Sequence, residues 1–173
     1  SLLCSADALS ISRGDVAAAQ HRRFRWTHLL ACCPRGVLHG NIKPKNVLVP
    51  DGEMWPHLVD FGVARPLADA HFEAGVGGKR DYMSIRAGTC TGQRKPADDL
   101  ESLGWVLLRC VNGKLPWAED RRRKSARKSS ALTAGKRRQL ATRSSEEKLR
   151  FLEAGSSSDV YFPPELEAYV AKV

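Results

Sequence analysis

The chain has 173 residues and a formal net charge of +9, a length that suits one domain with a real core. No apolar run of about 18 residues occurs, so no membrane span is indicated, and no signal peptide is visible. Cys4, Cys32, Cys33, Cys90 and Cys110 are odd in number and show no C-x-x-C spacing. That pattern fits a reduced intracellular protein and argues against a disulfide framework or a zinc site. His21, His28, His57 and His71 show no ligand spacing either.

In chain order, Leu2–Ala19 is mixed in character, and Trp26–Cys33 reads as the last turns of a helix that Pro34-Arg35-Gly36 breaks. After His39-Gly40-Asn41-Ile42-Lys43-Pro44-Lys45-Asn46 comes Val47-Leu48-Val49, then Pro50-Asp51-Gly52-Glu53, then Leu58-Val59. This is a strand, a turn and a strand, and the hairpin is expected to bring Asn46 and Asp60 together at one edge. Gly75-Val76-Gly77-Gly78 reads as a flexible loop. Asp98–Val111 carries Leu100, Leu103, Trp105, Val106, Leu107, Leu108 and Val111 on more than one face, the pattern of a buried helix. Asp98 or Asp99 stands where its N-cap belongs.

Arg121–Arg143 holds ten of the 28 Lys and Arg residues and no acid. Like charges at this density oppose a packed core, so the segment 121–145 is expected to be a mobile basic insertion. Three readings of it stand open: a solvated loop, a bipartite nuclear import signal (Arg123-Lys124 and Lys136-Arg137-Arg138), or contact with nucleic acid or chromatin through phosphate neutralisation. Ser144-Ser145-Glu146-Glu147 looks like the next helix start. Gly155–Ser158 ends that helix, and Pro163-Pro164-Glu165 opens a last one, Leu166–Val173.

His39 to Asn46 followed by Asp60-Phe61-Gly62 resembles the catalytic loop and metal-binding turn of protein kinases, whose loop runs H-R-D-x-x-x-x-N ahead of D-F-G. By that resemblance Asn46 would give an amide oxygen to Mg2+, Asp60 a carboxylate, and Lys43 would reach the transferring phosphate of ATP. Hard oxygen ligands suit Mg2+. Asn41 stands where the family has Asp. It matches that residue in shape but carries no charge and takes no proton near neutrality. His39 is expected to be structural.

Further segments narrow the resemblance. Asp81-Tyr82-Met83-Ser84-Ile85, Arg94 to Trp105 (RKPADDLESLGW) and Leu115-Pro116-Trp117 look like the casein kinase one superfamily. Gly40 in place of the usual Arg is similar to the vaccinia-related branch, and it implies no switching by an activation-loop phosphate. By resemblance Asp99 would anchor the catalytic-loop backbone from below. Ala126–Ser129 and Gln139–Thr142 also resemble pieces of a core-histone tail.

The resemblance implies an α+β fold, mainly α: a kinase-like large (C-terminal) lobe with short β-hairpins at the catalytic site. The expected organisation is a poorly assigned 1–36, a lobe core over 37–120, the basic insertion over 121–145, and carboxy-terminal helices over 146–173. Residues 1–36 contain no G-x-G-x-x-G and no V-A-I-K, so the ATP-covering small lobe is expected to be lacking, and a chain that starts at Ser1 reads as a fragment. The expected function is transfer of the ATP γ-phosphate to Ser or Thr of a protein substrate, impaired here by Asn41 and, more, by the missing small lobe. The rival expectation is a pseudokinase scaffold or nuclear binding module, with an import receptor or chromatin as partner through Arg121–Arg143. The nucleus is preferred to the cytoplasm.

Overall fold

The computed structural model describes residues 36–51, 56–75, 78–118, 133–155 and 160–173. The expectations for residues 1–35, for the tip of the first hairpin over 52–55, for Val76 and Gly77, for 119–132 and for 156–159 lie outside the described residues.

Among the described residues, six two-residue strands pair as three antiparallel ladders. Strand β1 (Val37–Leu38) pairs with β4 (Arg65–Pro66), β2 (Val47–Leu48) with β3 (His57–Leu58), and β5 (His71–Phe72) with β6 (Gly92–Gln93). The described residues also form four α-helices, α1 (Ile85–Thr89), α2 (Pro96–Asn112), α3 (Ala134–Ala154) and α4 (Pro164–Lys172), and three short 3-10 turns. The result is mainly helical with small hairpins, as the sequence implied.

Helix α2 is the centre of the core. Trp105 and Leu108 have no exposed surface, and Leu103 and Val106 are nearly as deep. The Trp105 ring meets Trp117 edge-on at 4.9 Å, Trp117 meets Phe151 at 5.7 Å, and Phe151 meets Phe162 at 5.0 Å. This chain of rings joins α2, α3 and the segment before α4. Each large side chain buried there stabilises the fold by about 1.5–3 kcal/mol. The N-cap of α2 is Lys95, not an aspartate. Pro96 takes the first helical position, and Asp98, three residues in, accepts from the Lys95 N–H at 2.7 Å. Asp98 thus satisfies the helix entrance from inside. Gly113, with φ of 71°, ends the helix in the left-handed conformation that favours glycine.

Helix α3 corrects the expected basic insertion. It begins at Ala134, capped by the Thr133 hydroxyl accepting from the Lys136 N–H at 3.3 Å. Residues 133–145 therefore enter a helix, and Ser144 and Ser145 sit inside it instead of capping it. Two causes outweigh the charge repulsion. Ala134, Gln139, Leu140 and Ala141 are good or adequate helix formers, and Ala141, Ser144, Ser145, Lys148 and Phe151 fall at helical spacing on one buried face. The small residues on that face let α3 lie directly on α1. A side chain at Gly88 would collide with the Ser145 hydroxyl and come within 3.1 Å of the Ala141 carbonyl oxygen. The last helix begins at Pro164, two residues before the expected Leu166, with that proline in the early position it tolerates.

No described helix is long and apolar enough to cross a membrane.

Candidate functional site

Strand β1 delivers the chain to His39, which is buried, and the N-terminal turn of α2 fixes it there. The Asp99 carboxylate accepts from the backbone N–H of His39 at 2.7 Å and of Gly40 at 3.0 Å. Burial pushes the Asp99 carboxyl up from its ordinary range, and these two donors pull it partly back. One carboxylate holding two consecutive amides sets the direction in which the next side chain leaves the loop.

His39 uses both ring nitrogens for bracing. Nε2 donates to the Val59 carbonyl at 3.0 Å, and Nδ1 accepts from the Asn41 N–H at 3.2 Å. The tautomer follows from these partners. The ring also meets Phe61 edge-on at 4.8 Å. Both nitrogens being engaged with backbone, His39 ties the loop to Val59, the residue directly after β3, and has the structural place expected of it.

The β2–β3 hairpin then closes the site. Asn46 ends a short 3-10 turn (Pro44–Asn46), and its carbonyl accepts from the Val59 N–H at 2.9 Å, so Asp60 comes alongside Asn46. Three side chains converge on a single Asp60 oxygen, Oδ2: the Asn46 amide at 3.2 Å, the Asn41 amide at 3.5 Å and the Lys43 ammonium at 3.6 Å. The Asn46 amide nitrogen also donates to the Asn41 carbonyl at 2.9 Å. All four residues singled out in the sequence, Asn41, Lys43, Asn46 and Asp60, therefore lie at one place. Asp60 has φ of 67° and is the one non-glycine residue with positive φ among the described residues. That conformation costs on the order of 1–3 kcal/mol, and here it coincides with the carboxylate that gathers the cluster.

The donor set fits a hard divalent cation. Asp60 would supply carboxylate oxygens and Asn46, whose amide nitrogen here faces Asp60, an amide oxygen once its amide is turned, and no group of three or more His, Cys, Asp or Glu gathers among the described residues. Mg2+ is commonly held by one or two such oxygens with phosphates and waters completing its shell, whereas a structural zinc site needs four protein ligands. Asp60 is half exposed, and Phe61 and Val63 beside it also face outward. The cluster thus opens to solvent on that side.

On the other side of Asn41 lies a cleft lined by Gly40, Asn41, Lys79, Tyr82, Arg94 and Asp99. The segment from Gly78 to Met83 forms its far wall and touches the loop directly: a side chain at Gly78 would stand 2.9 Å from the Gly40 carbonyl oxygen. Burial lowers the Arg94 pKa, and its guanidinium stacks on Phe72 at 4.9 Å, with Arg65 at 5.2 Å from the same ring. Ser84 caps α1 by accepting from the Ala87 N–H and donates to Asp98 at 2.6 Å, and Arg86 pairs with the other Asp98 oxygen. Arg86 and Lys148, and the place of Arg94 in the cleft, were not read from the sequence. Their partners are distant in sequence or lie on other elements, and no local periodicity signals them.

A family model described as "Protein kinase domain" matches residues 26–160. The chain is 40% identical over 83 residues to "Leucine-rich repeat receptor-like protein kinase PEPR2" of Arabidopsis thaliana, covering 47% of this chain and 7% of that protein. It is 41% identical over 88 residues to "Probable serine/threonine-protein kinase PkwA" of Thermomonospora curvata, 49% of this chain and 11% of the relative. It is 38% identical over 92 residues to a "Probable casein kinase I homolog" of Encephalitozoon cuniculi, 49% of this chain and 28% of the relative. The chain thus matches less than a third of the length of each of these relatives.

Proposed function

The chain belongs to the protein kinase domain family, and from that premise we propose that it is the large-lobe portion of a serine/threonine kinase homologue of the casein kinase one superfamily, of the vaccinia-related type. The observation that carries this reading is the convergence of Asn41, Lys43 and Asn46 on one Asp60 oxygen. In this reading Asn46 and Asp60 would hold Mg2+, which would offset the charge of the ATP phosphates. Lys43, already within reach of the Asp60 carboxylate, would turn to the transferring phosphoryl group. Asn41 would orient the substrate hydroxyl by hydrogen bonding and leave its proton unclaimed. A missing general base typically costs about 10²–10⁴ in rate, so turnover on a protein Ser or Thr is expected to be weak.

Thermal unfolding with and without Mg2+–ATP tests the nucleotide site. Binding at one hundred times Kd stabilises by about 2.7 kcal/mol, and Asp60→Ala should abolish the shift. An unchanged midpoint in the presence of Mg2+–ATP would sink the reading.

A second reading, a non-catalytic binding module, is favoured by the same Asn41 and by the exposed Lys136, Arg137, Arg138 and Arg143 on α3. In it the basic helix docks on an acidic partner, such as an import receptor or chromatin, in the nucleus. Binding of that kind should weaken steeply with salt.

A further inference from the structure

Lys148, on the buried face of α3, has no exposed surface. Its ammonium donates to the Met83 carbonyl at 2.6 Å and the Arg80 carbonyl at 3.0 Å. It also stands 5.6 Å from the centre of the Trp117 ring and 5.9 Å from that of Trp105. Trp117 holds the carbonyl between those two, its indole N–H donating to Asp81 at 2.8 Å. The Arg80–Tyr82 turn and the residue after it are thus gripped from below at three backbone carbonyls. A methionine would fill the same space without desolvating a charge. What the ammonium adds is directional: it has three donors, and two of them reach carbonyls of different residues.

The gripped turn leads straight to the site. Lys79, Tyr82 and Met83 line the cleft beside Asn41. Gly78, just ahead of the turn, packs against the Gly40 carbonyl and lies near the Asn41 α-carbon and side-chain oxygen. We propose that Lys148 is a positioning residue: by holding the Arg80–Tyr82 turn on α3 and the two tryptophans, it seats Gly78 against the Gly40–Asn41 loop and so fixes the wall that faces Asn41. The importance of that wall rests on the functional reading above; the mechanical link from Lys148 to Asn41 does not.

Amide hydrogen exchange on the whole chain, without nucleotide, tests the link. In Lys148→Met, residues 79–85 and 39–43 should both exchange about tenfold faster, an opening local to those stretches. The β2–β3 hairpin and α4 should change by less than about twofold. Lys148→Arg, which keeps a cation with several donors, should restore most of the protection in both stretches. A uniform rise across the molecule would mean a purely structural role and overturn the proposal. A rise confined to 79–85, with 39–43 unchanged, would overturn it too, as would failure of the arginine to restore either stretch. If Lys148→Met does not fold, Lys148→Gln keeps one donor group and is expected to show the same two stretches loosened to a smaller degree. A uniform effect there counts against the idea equally. Absence of a Mg2+–ATP shift would sink the kinase reading and leave these exchange outcomes as informative as before.

Discussion

Around Asp60 the charged groups lie at the surface and close together in sequence; around Lys148 the charge is enclosed and its partners are far away along the chain. Asn41, Lys43, Asn46 and Asp60 span twenty positions and meet on one oxygen that solvent can reach. Lys148 reaches residues 65 and 68 positions back, among two tryptophan rings. An exposed pair such as Lys43–Asp60 contributes about 0–1 kcal/mol to stability, so that cluster is poorly explained as a fold-stabilising device. A fully enclosed ammonium carries a desolvation cost of several kcal/mol, offset only by good geometry. In the proposed reading the first cluster meets a ligand from solvent, while the second holds an internal turn in place.

The largest effect should come from Asn41→Asp. Supplying a proton acceptor at that position is expected to raise phosphoryl transfer to a basic test protein by about 10²–10⁴, measured by radiolabel incorporation. A variant no faster than the parent would move the balance to the binding-module reading.

Next is the pH dependence of the enclosed cluster. Burial lowers the Lys148 pKa from 10.5 to about 8, against the opposing pull of Glu101 and Asp81. Between those values the unfolded chain still holds the proton that the folded state has released. Stability therefore rises with pH across that window, and the gain is lost as pH falls through 8. At about 1.4 kcal/mol per pKa unit the contribution approaches about 3 kcal/mol. Urea midpoints at pH 7.5 and 9.5 check this, read as the difference between the parent and Lys148→Met so that Tyr82 and Cys110, both raised by burial, cancel. Equal pH slopes in the two proteins would remove the contrast between the clusters.

The smallest effect sharpens the exposed side. Asp60→Gly relieves a left-handed backbone position and should stabilise the chain by about 1 kcal/mol, while abolishing any Mg2+-dependent thermal shift. A destabilised variant would show that the Asp60 contacts outweigh the strain.

These differences also explain what could be read from sequence. The hairpin, the meeting of Asn46 with Asp60 and the buried character of α2 were legible, because each follows from spacing over a few residues or from dense apolar positions; that His39 is structural came from the family resemblance, and its partners Val59 and Asn41 came only from the fold. The start of α3 was not. Its buried face at Ala141, Ser144 and Ser145 is made of small residues that leave no apolar period, while the basic residues around them suggest a loop. The α2 cap was misplaced because Asp98 works from the third helical position, where the sequence shows an acid but not which N–H it serves. Lys148 was invisible because lysine is almost never fully buried, and nothing near it in sequence marks the two carbonyls it holds.

Helix α3 carries both the basic surface residues and Lys148. At 21 residues and about 1.5 Å of rise per residue it is a rod roughly 30 Å long. Arg137 and Arg138 ride near one end of the rod, and the lysine that grips the turn sits in its other half. A displacement of the outer end that tilted the helix as one unit would carry Lys148 with it and so bear on the carbonyls of Arg80 and Met83.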